Sequence, residues 1–356
     1  MSLARQRNSK ERLVKTAIAT ILAATASLGS IAAFTAAGAQ QPAPAGNAAQ
    51  APINRDYLHV QVILDHLGFA PGLLDGRPGQ SLTAALKGFQ EASGLPITGE
   101  PDVKTLQALY PHRQWRPTVR VKLTPEMLAG PYFPNMPKGE DEKAKLPALG
   151  YTNPLEKLAE MFHTSPDTIR ALNPGVSQLT PGTAVVFPNA LPDHRNYDAS
   201  LKPDWRATLT MLNVDSSQPQ AAKVVVDKSD KVLRVMDANN KLVAQFQVTT
   251  GSSHDPLPIG TWKVNVVDYN PKFHYNPALF WDAKSTDKKA MLPPGPNGPV
   301  GVVWIDLNKE HYGLHGTPEP QTIGRTESHG CVRLANWNAA RLAMMVKPGT
   351  PVIFQL

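Results

Sequence analysis

Lys223-Val224-Val225-Val226, Lys231-Val232-Leu233-Arg234-Val235-Met236 and the run from Lys241 to Thr249 decide the class of the C-terminal fold. They are short, rich in Val and Leu, and separated by the turn sequences Lys228-Ser229-Asp230 and Asp237-Ala238-Asn239-Asn240. Branched residues spaced in this way by turn residues predict an antiparallel meander. Working outward, Trp262 to Val267, Val300 to Ile305 and Pro351 to Phe354 offer further strands. Asn336 to Val346 reads as one helix, with Asn336 as its cap. Residues 208–356 are therefore expected to form one β-rich domain. Asn270 to Pro299 interrupts it with a long aromatic, Pro- and Gly-rich stretch, and loops of that length in compact domains are usually functional.

The upstream half reads as helical. Leu155, Leu158, Ala159 and Phe162 make one apolar stripe, and Ser165-Pro166-Asp167 starts a second helix that carries Ile169 and Leu172. Thr183 to Phe187 is a short strand, so 151–190 is a small unit of its own. Residues 111–150 are Pro-rich, mixed in charge and weakly periodic, and read as an irregular connector. In 55–110, Val60, Leu64 and Leu67 form one stripe. Leu82, Leu86 and Phe89 form a second after Ser81 as cap, and Val103, Leu106 and Leu109 a third after Pro101. Three such stripes predict a small three-helix bundle. Residues 40–54 are an uncharged linker rich in Gln, Pro, Ala, Gly and Asn.

The 356 residues carry a net charge of +7, unevenly placed. Arg5, Arg7, Lys10, Arg12 and Lys15 stand against Glu11 alone, and no charge follows until Arg55. That pattern excludes a nucleic-acid footprint, which needs a basic face on the folded part. It suits an export signal over 1–39: a basic start, an apolar core from Thr16, and the small-x-small site Ala37-Gly38-Ala39. Left uncleaved, the same segment would attach the chain to a membrane.

Export gives the lone cysteine, Cys331, a meaning. It has no partner for an intramolecular disulfide, so it is either buried and inert or a reactive group. Its surroundings are His315-Gly316-Thr317 and Ser328-His329-Gly330-Cys331-Val332-Arg333-Leu334. A free thiol, with a pKa of about 8.5, needs a base to attack at neutral pH. His329 is two residues away, where facing geometry is rare. His315 is far enough upstream to return on a neighbouring strand, which favours it as the base. A base also needs an orienter, and a backbone carbonyl near Gly316 could serve. Gly330 permits a tight turn, so the N–H groups of Gly330 and Cys331 could face a developing oxyanion, each donor supplying about 3–4 kcal/mol. Ser328, adjacent to His329, makes a poor serine dyad. His311, His315 and His329 lack metal-ligand spacing, and no cofactor is expected.

These residues resemble the L,D-transpeptidase catalytic domain, also called the YkuD domain. The likeness runs through 220–356 and includes Pro256-Leu-Pro-Ile-Gly-Thr-Trp262 and Gly349-Thr-Pro-Val352. It implies a β-sandwich-like fold with Cys331 as nucleophile, His315 as base and the Gly316 carbonyl as orienter. The backbone amides of His329, Gly330 and Cys331 would form the oxyanion hole, with Arg333 and Ser328 on the substrate side. Residues 55–110 resemble the peptidoglycan-binding module of cell-wall enzymes, through Leu67-Gly68-Phe69, Asp75-Gly76, Phe89-Gln90, Gly94-Leu95 and Thr98-Gly99. Residues 151–190 resemble a LysM glycan-binding module, without its usual opening strand.

The expectation is thus a multidomain α+β protein: a three-helix bundle, a LysM-like α/β unit and a β-sandwich-like catalytic domain. The resemblance implies a periplasmic or cell-envelope enzyme acting on peptidoglycan stem peptides, and acylation by carbapenems. The same thioester would also suit a carboxypeptidase, a D-amino-acid exchanger or an enzyme of wall-linked lipoproteins. A wall-binding scaffold would need neither Cys331 nor His315.

Overall fold

The computed structural model describes residues 52–356. The export signal expected over 1–39, and nearly all of the 40–54 linker, lie outside the described residues. No described helix is long and apolar enough to cross a membrane.

Asn54 fixes the start of α1 (Arg55–His66), its side chain accepting the N–H groups of Asp56 at 2.8 Å and Tyr57 at 3.1 Å. Next come α2 (Gln80–Ala92) and α3 (Val103–Leu109). Ser81 does not cap α2. Gly79 precedes that helix and Ser81 is its second residue, its side chain directed against Gly72. Asp102 caps α3 by accepting the Thr105 N–H at 2.9 Å, which leaves Pro101 outside the helix. Of the third stripe only Leu109 is buried; Val103 and Leu106 are 71% and 46% exposed. The helices therefore do not close as a free-standing bundle. Val60, Leu64, Leu82, Leu86, Phe89 and Leu109 share one core with Leu242 of the C-terminal sheet.

The expected connector contains β1 (Thr118–Lys122) and the single turn α4 (Glu140–Lys143). After α5 (Pro154–Met161) and α6 (Pro166–Leu172), β2 (Ala184–Pro188) returns antiparallel to β1, with Thr118 opposite Pro188 and Lys122 opposite Ala184. Apart from the single turn α4, the unit is therefore β-α-α-β, and its first strand lies before residue 151. The short alternation in Thr118-Val119-Arg120-Val121-Lys122 finds its partner only beyond α4, α5 and α6. Ser165 caps α6, accepting the Thr168 N–H at 3.1 Å, and Pro166 sits where no N–H is needed. Phe162 and Phe187 stack at 3.9 Å in the core of this unit.

The C-terminal domain begins with α7 (Pro203–Met211), whose Trp205 and Leu209 join its core, so that core starts before residue 208. Its strands are β3 (Lys223–Asp227), β4 (Val232–Met236), β5 (Leu242–Gln247), β6 (Gly260–Tyr269), β7 (Phe273–Tyr275), β8 (Ala290–Leu292), β9 (Val303–Leu307), β10 (Gly313–His315), β11 (Val332–Arg333) and β12 (Pro351–Gln355). The helix α8 (Asn336–Met345) lies between the last two. Its cap is Ala335, because the Asn336 side chain is used elsewhere. The 270–299 stretch is no simple loop, since β7 and β8 pair within it.

Eight strands form one sheet in the order β11-β10-β9-β6-β12-β3-β4-β5. β6 pairs with β12 along its first half and with β9 along its second, and the register shifts between Val264 and Val266 where the partner changes. Such a bulge bends the strand and raises its twist. The two ends of the sheet consequently meet: Thr249, just past β5, exchanges backbone hydrogen bonds of 3.1 and 2.9 Å with Arg333 of β11. In place of two packed sheets there is one curled sheet. Trp337, Ala339, Ala340 and Leu342 of α8 are buried in its core.

The N-terminal helices cover the outer edge of β5, through Ala70 N–H to Gln245 O at 2.8 Å and Gln245 N–H to Gly68 O at 2.9 Å. A buried ion pair, bridged by a histidine, ties the three parts together. Arg341 of α8 grips both oxygens of Asp65 of α1 at 2.9 Å, and His163, after α5, donates from Nδ1 to Asp65 at 2.9 Å. His163 Nε2 donates to the Leu212 carbonyl at 2.8 Å, and its ring stacks on Trp337 at 5.0 Å.

Candidate active site

The curl of the sheet places the chemistry. β10 and β11 are parallel, with Leu314 opposite Val332 and His315 opposite Arg333. Side chains alternate along a strand, so Leu314 and Val332 face the core, where both are fully buried. His315 and Arg333 share the other face, and the Arg333 charge acts on both His315 and Cys331. The sequence offered His315 as a return of the chain toward Cys331; the parallel pair sets the strand of His315 beside the strand that begins one residue after Cys331.

Residues 328–331 form a tight turn between the two ends of the sheet. Ser328 N–H donates to Thr250 O at 3.1 Å, Ser252 N–H to Ser328 O at 3.2 Å, and Leu334 N–H to His315 O at 2.8 Å. Inside the turn, buried Ser328 donates its hydroxyl to the Cys331 carbonyl at 2.6 Å, so that hydroxyl is engaged. Gly330 has φ +99°, and a Cβ there would come within 2.8 Å of the Tyr312 ring. Only glycine fits both demands. Among the described residues, the amides of His329, Gly330 and Cys331 donate to no backbone carbonyl.

His315 is buried, with Trp304 stacked on its ring at 5.4 Å. Its Nδ1 lies 2.7 Å from the Gly316 carbonyl. A carbonyl only accepts, so Nδ1 carries the proton and Nε2 is left with its lone pair. Burial, and then the Arg333 charge, push this imidazole down to about 3, against the Gly316 contact. Burial pushes the Cys331 thiol up to about 11, opposed by a backbone hydrogen bond from Gly313 and by Arg333. At neutral pH the pair is thus a thiol and a neutral imidazole. The thiol points at the His311 carbonyl, 3.6 Å away. The half-buried Arg333 guanidinium forms no ion pair among the described residues.

His329 is engaged by the 280–282 segment. Its Nε2 donates to Asp282 at 2.8 Å, Phe280 meets its ring edge-on at 5.1 Å, and Trp281 lies tilted at 5.9 Å. Trp281 also stacks on His254 at 4.5 Å. The 280–282 segment therefore packs directly over the cysteine turn. The sequence marked 270–299 as a functional stretch without singling out Asp282, and missed Tyr312 and Trp304. The alternation from Trp304 through Asp306 on β9 was the one available signal, because it sets Trp304 across from His315.

Residues 221–354 match the L,D-transpeptidase catalytic domain and residues 55–109 a domain described as "Putative peptidoglycan binding domain". The Bacillus licheniformis protein named "Putative L,D-transpeptidase YkuD" is 25% identical over 200 residues, which cover 56% of this chain and 91% of that protein. Among solved structures, an L,D-transpeptidase from Mycobacterium smegmatis is 20% identical with a TM-score of 0.31, over 37% of this chain and 58% of that one. The catalytic domain of the E. faecium enzyme, acylated by ertapenem, is 17% identical with a TM-score of 0.30, over 39% of this chain and all of that one. The chain carries a YkuD-type L,D-transpeptidase catalytic domain, preceded by an N-terminal domain of the peptidoglycan-binding family.

Proposed function

We propose that this protein forms cross-links between peptidoglycan stem peptides in the cell envelope, with Cys331 as nucleophile and His315 as general base. The observation that carries the reading is the fixed tautomer of buried His315, on a strand paired in parallel with the strand that follows the lone thiol. Nε2 of His315 takes the thiol proton as Sγ attacks the carbonyl at the L-centre of the third stem residue. The oxyanion is met by the amides of His329, Gly330 and Cys331. Collapse breaks the bond to D-Ala, whose amine receives the proton, and leaves a thioester. An amine of a second stem then attacks that thioester, giving a 3→3 link and restoring the thiol. The cleaved peptide bond supplies the driving force.

Arg333, close to Cys331, suits a substrate carboxylate. Ser328 serves the turn, because its hydroxyl is already engaged. The β-α-α-β order of 118–188 supports reading that unit as a LysM-like glycan-binding module beside the N-terminal one. Water or a D-amino acid could resolve the same thioester, and product analysis separates those outcomes.

The thiol should also react with activated acyl donors. Incubation with a carbapenem is expected to add one acyl group, seen by intact mass and mapped to Cys331. A protein that forms cross-links yet stays unmodified would contradict this use of Cys331.

A further inference from the structure

Behind the imidazole lies a buried polar chain that starts in another module. Asn336, the first residue of α8, is fully buried. Its Oδ1 accepts the Val302 N–H at 3.2 Å, and its Nδ2 donates to Pro296 O at 3.1 Å and to Glu160 Oε1 at 2.7 Å. Both ends of the amide are used, so its orientation is set. That orientation presses Oδ1 against the backbone of Gly316: a Cβ there would lie 2.1 Å from it. The Gly316 carbonyl is the group that holds His315 Nδ1. Glu160 belongs to α5 of the β-α-α-β unit, and its second oxygen accepts the Tyr151 hydroxyl.

We propose that Glu160 and Asn336 are positioning residues for His315, so that the β-α-α-β unit completes the catalytic site as well as any wall contact it makes. The proposal rests on His315 acting as the base of Cys331. Two further observations support it. A carboxyl in this place costs stability, since burial drives Glu160 up to about 7 against the pull of Tyr151 and Asn336. Its other charged neighbour, Glu156 on the same helix, only adds to that cost while itself bonded to Thr152 and Asn297. An apolar side chain would fill the space without this penalty but would leave the Asn336 amide unpaired. Gly316 and Gly301 also leave the space that the amide occupies, since a Cβ on Gly301 would lie 1.9 Å from Oδ1.

The test measures the rate of Cys331 alkylation by iodoacetamide from pH 5 to 9, with melting temperature recorded in parallel. Glu160→Ala is expected to slow alkylation about 10-fold at pH 7, because a small displacement of the base is costly, and to make the rate climb with pH. Glu160→Gln, which still accepts from Asn336, should restore the rate to within about 2-fold and flatten the profile. Asn336→Asp loses both donors and should slow the reaction by about 10-fold or more even if Glu160→Ala fails to fold. A folded Glu160→Ala or Asn336→Asp variant with wild-type rate and profile, whatever its melting temperature, overturns the proposal. Alkylation needs only the thiol and its base. Slow alkylation in Glu160→Ala, beside wild-type protein that makes no stem-peptide product, would keep the positioning role and remove the transpeptidase reading.

Discussion

Replacing His315 by Ala is expected to slow acylation of Cys331 by about 10³-fold at pH 7, within the range of about 10²–10⁴ that general bases contribute. The reason is the state of the pair. With the thiol pushed up to about 11 by burial, only about one molecule in 10⁴ is thiolate at pH 7. The wild-type reaction avoids that small fraction because neutral His315 removes the proton as the sulfur attacks. The pH profile shows the difference directly. His315, pushed down to about 3, keeps its lone pair throughout the neutral range, and the thiol keeps its proton there. Wild-type acylation by a carbapenem should therefore stay level between about pH 5 and 9. The Ala variant depends on free thiolate and should accelerate about tenfold per pH unit toward 11. A variant with a level profile and near wild-type rate would place the base elsewhere.

The largest stability effect is expected at Arg341. Asp65 sits 1% exposed beneath it, and burial alone would raise that carboxyl's pKa. Arg341, then His163, overcome burial and hold it below the usual carboxylate range. Removing one partner of a buried pair strands the other charge, at a cost of about 3–5 kcal/mol. Arg341→Met should lower the unfolding free energy by about that much in a urea titration at pH 7. The sign with pH follows from the depressed carboxyl. In the wild type its stabilisation is complete above the unfolded-chain value of about 3.9 and is lost as pH falls below it. In the variant the carboxyl is held less strongly, so acid unfolding should begin at a higher pH. A loss under about 1 kcal/mol would mean that the histidine-bridged pair does not lock α1, the His163 segment and α8 together.

The parts legible in the sequence are those whose signal is local. The alternation in β3 to β5, the Ser165 cap of α6 and the Ser328–Cys331 turn each occupy a few consecutive residues. The α3 stripe misled because period alone does not say which side a helix turns to its neighbours, and Val103 and Leu106 face outward. β1 has no local signal strong enough to mark it, because its partner strand lies beyond α4, α5 and α6. The curl of the sheet goes with register shifts between Val264 and Val266 in β6 and between Val235 and Met236 in β4, neither of which breaks the run of strand residues. At the site, Cys331, His315 and Gly316 stood out through their motif. Asp282, Tyr312, Trp304, Asn336 and Glu160 did not, since each reaches the site only by tertiary contact.

The most direct test of the account is a mass-spectrometric product analysis. Full-length protein and its Cys331→Ala variant would be incubated with disaccharide-tetrapeptide. The account predicts a dimer lacking one D-Ala with the wild type and none with the variant. Tripeptide monomer as the sole cysteine-dependent product would contradict cross-linking and indicate a carboxypeptidase. Dimer formed equally by the variant would contradict the role of Cys331 itself.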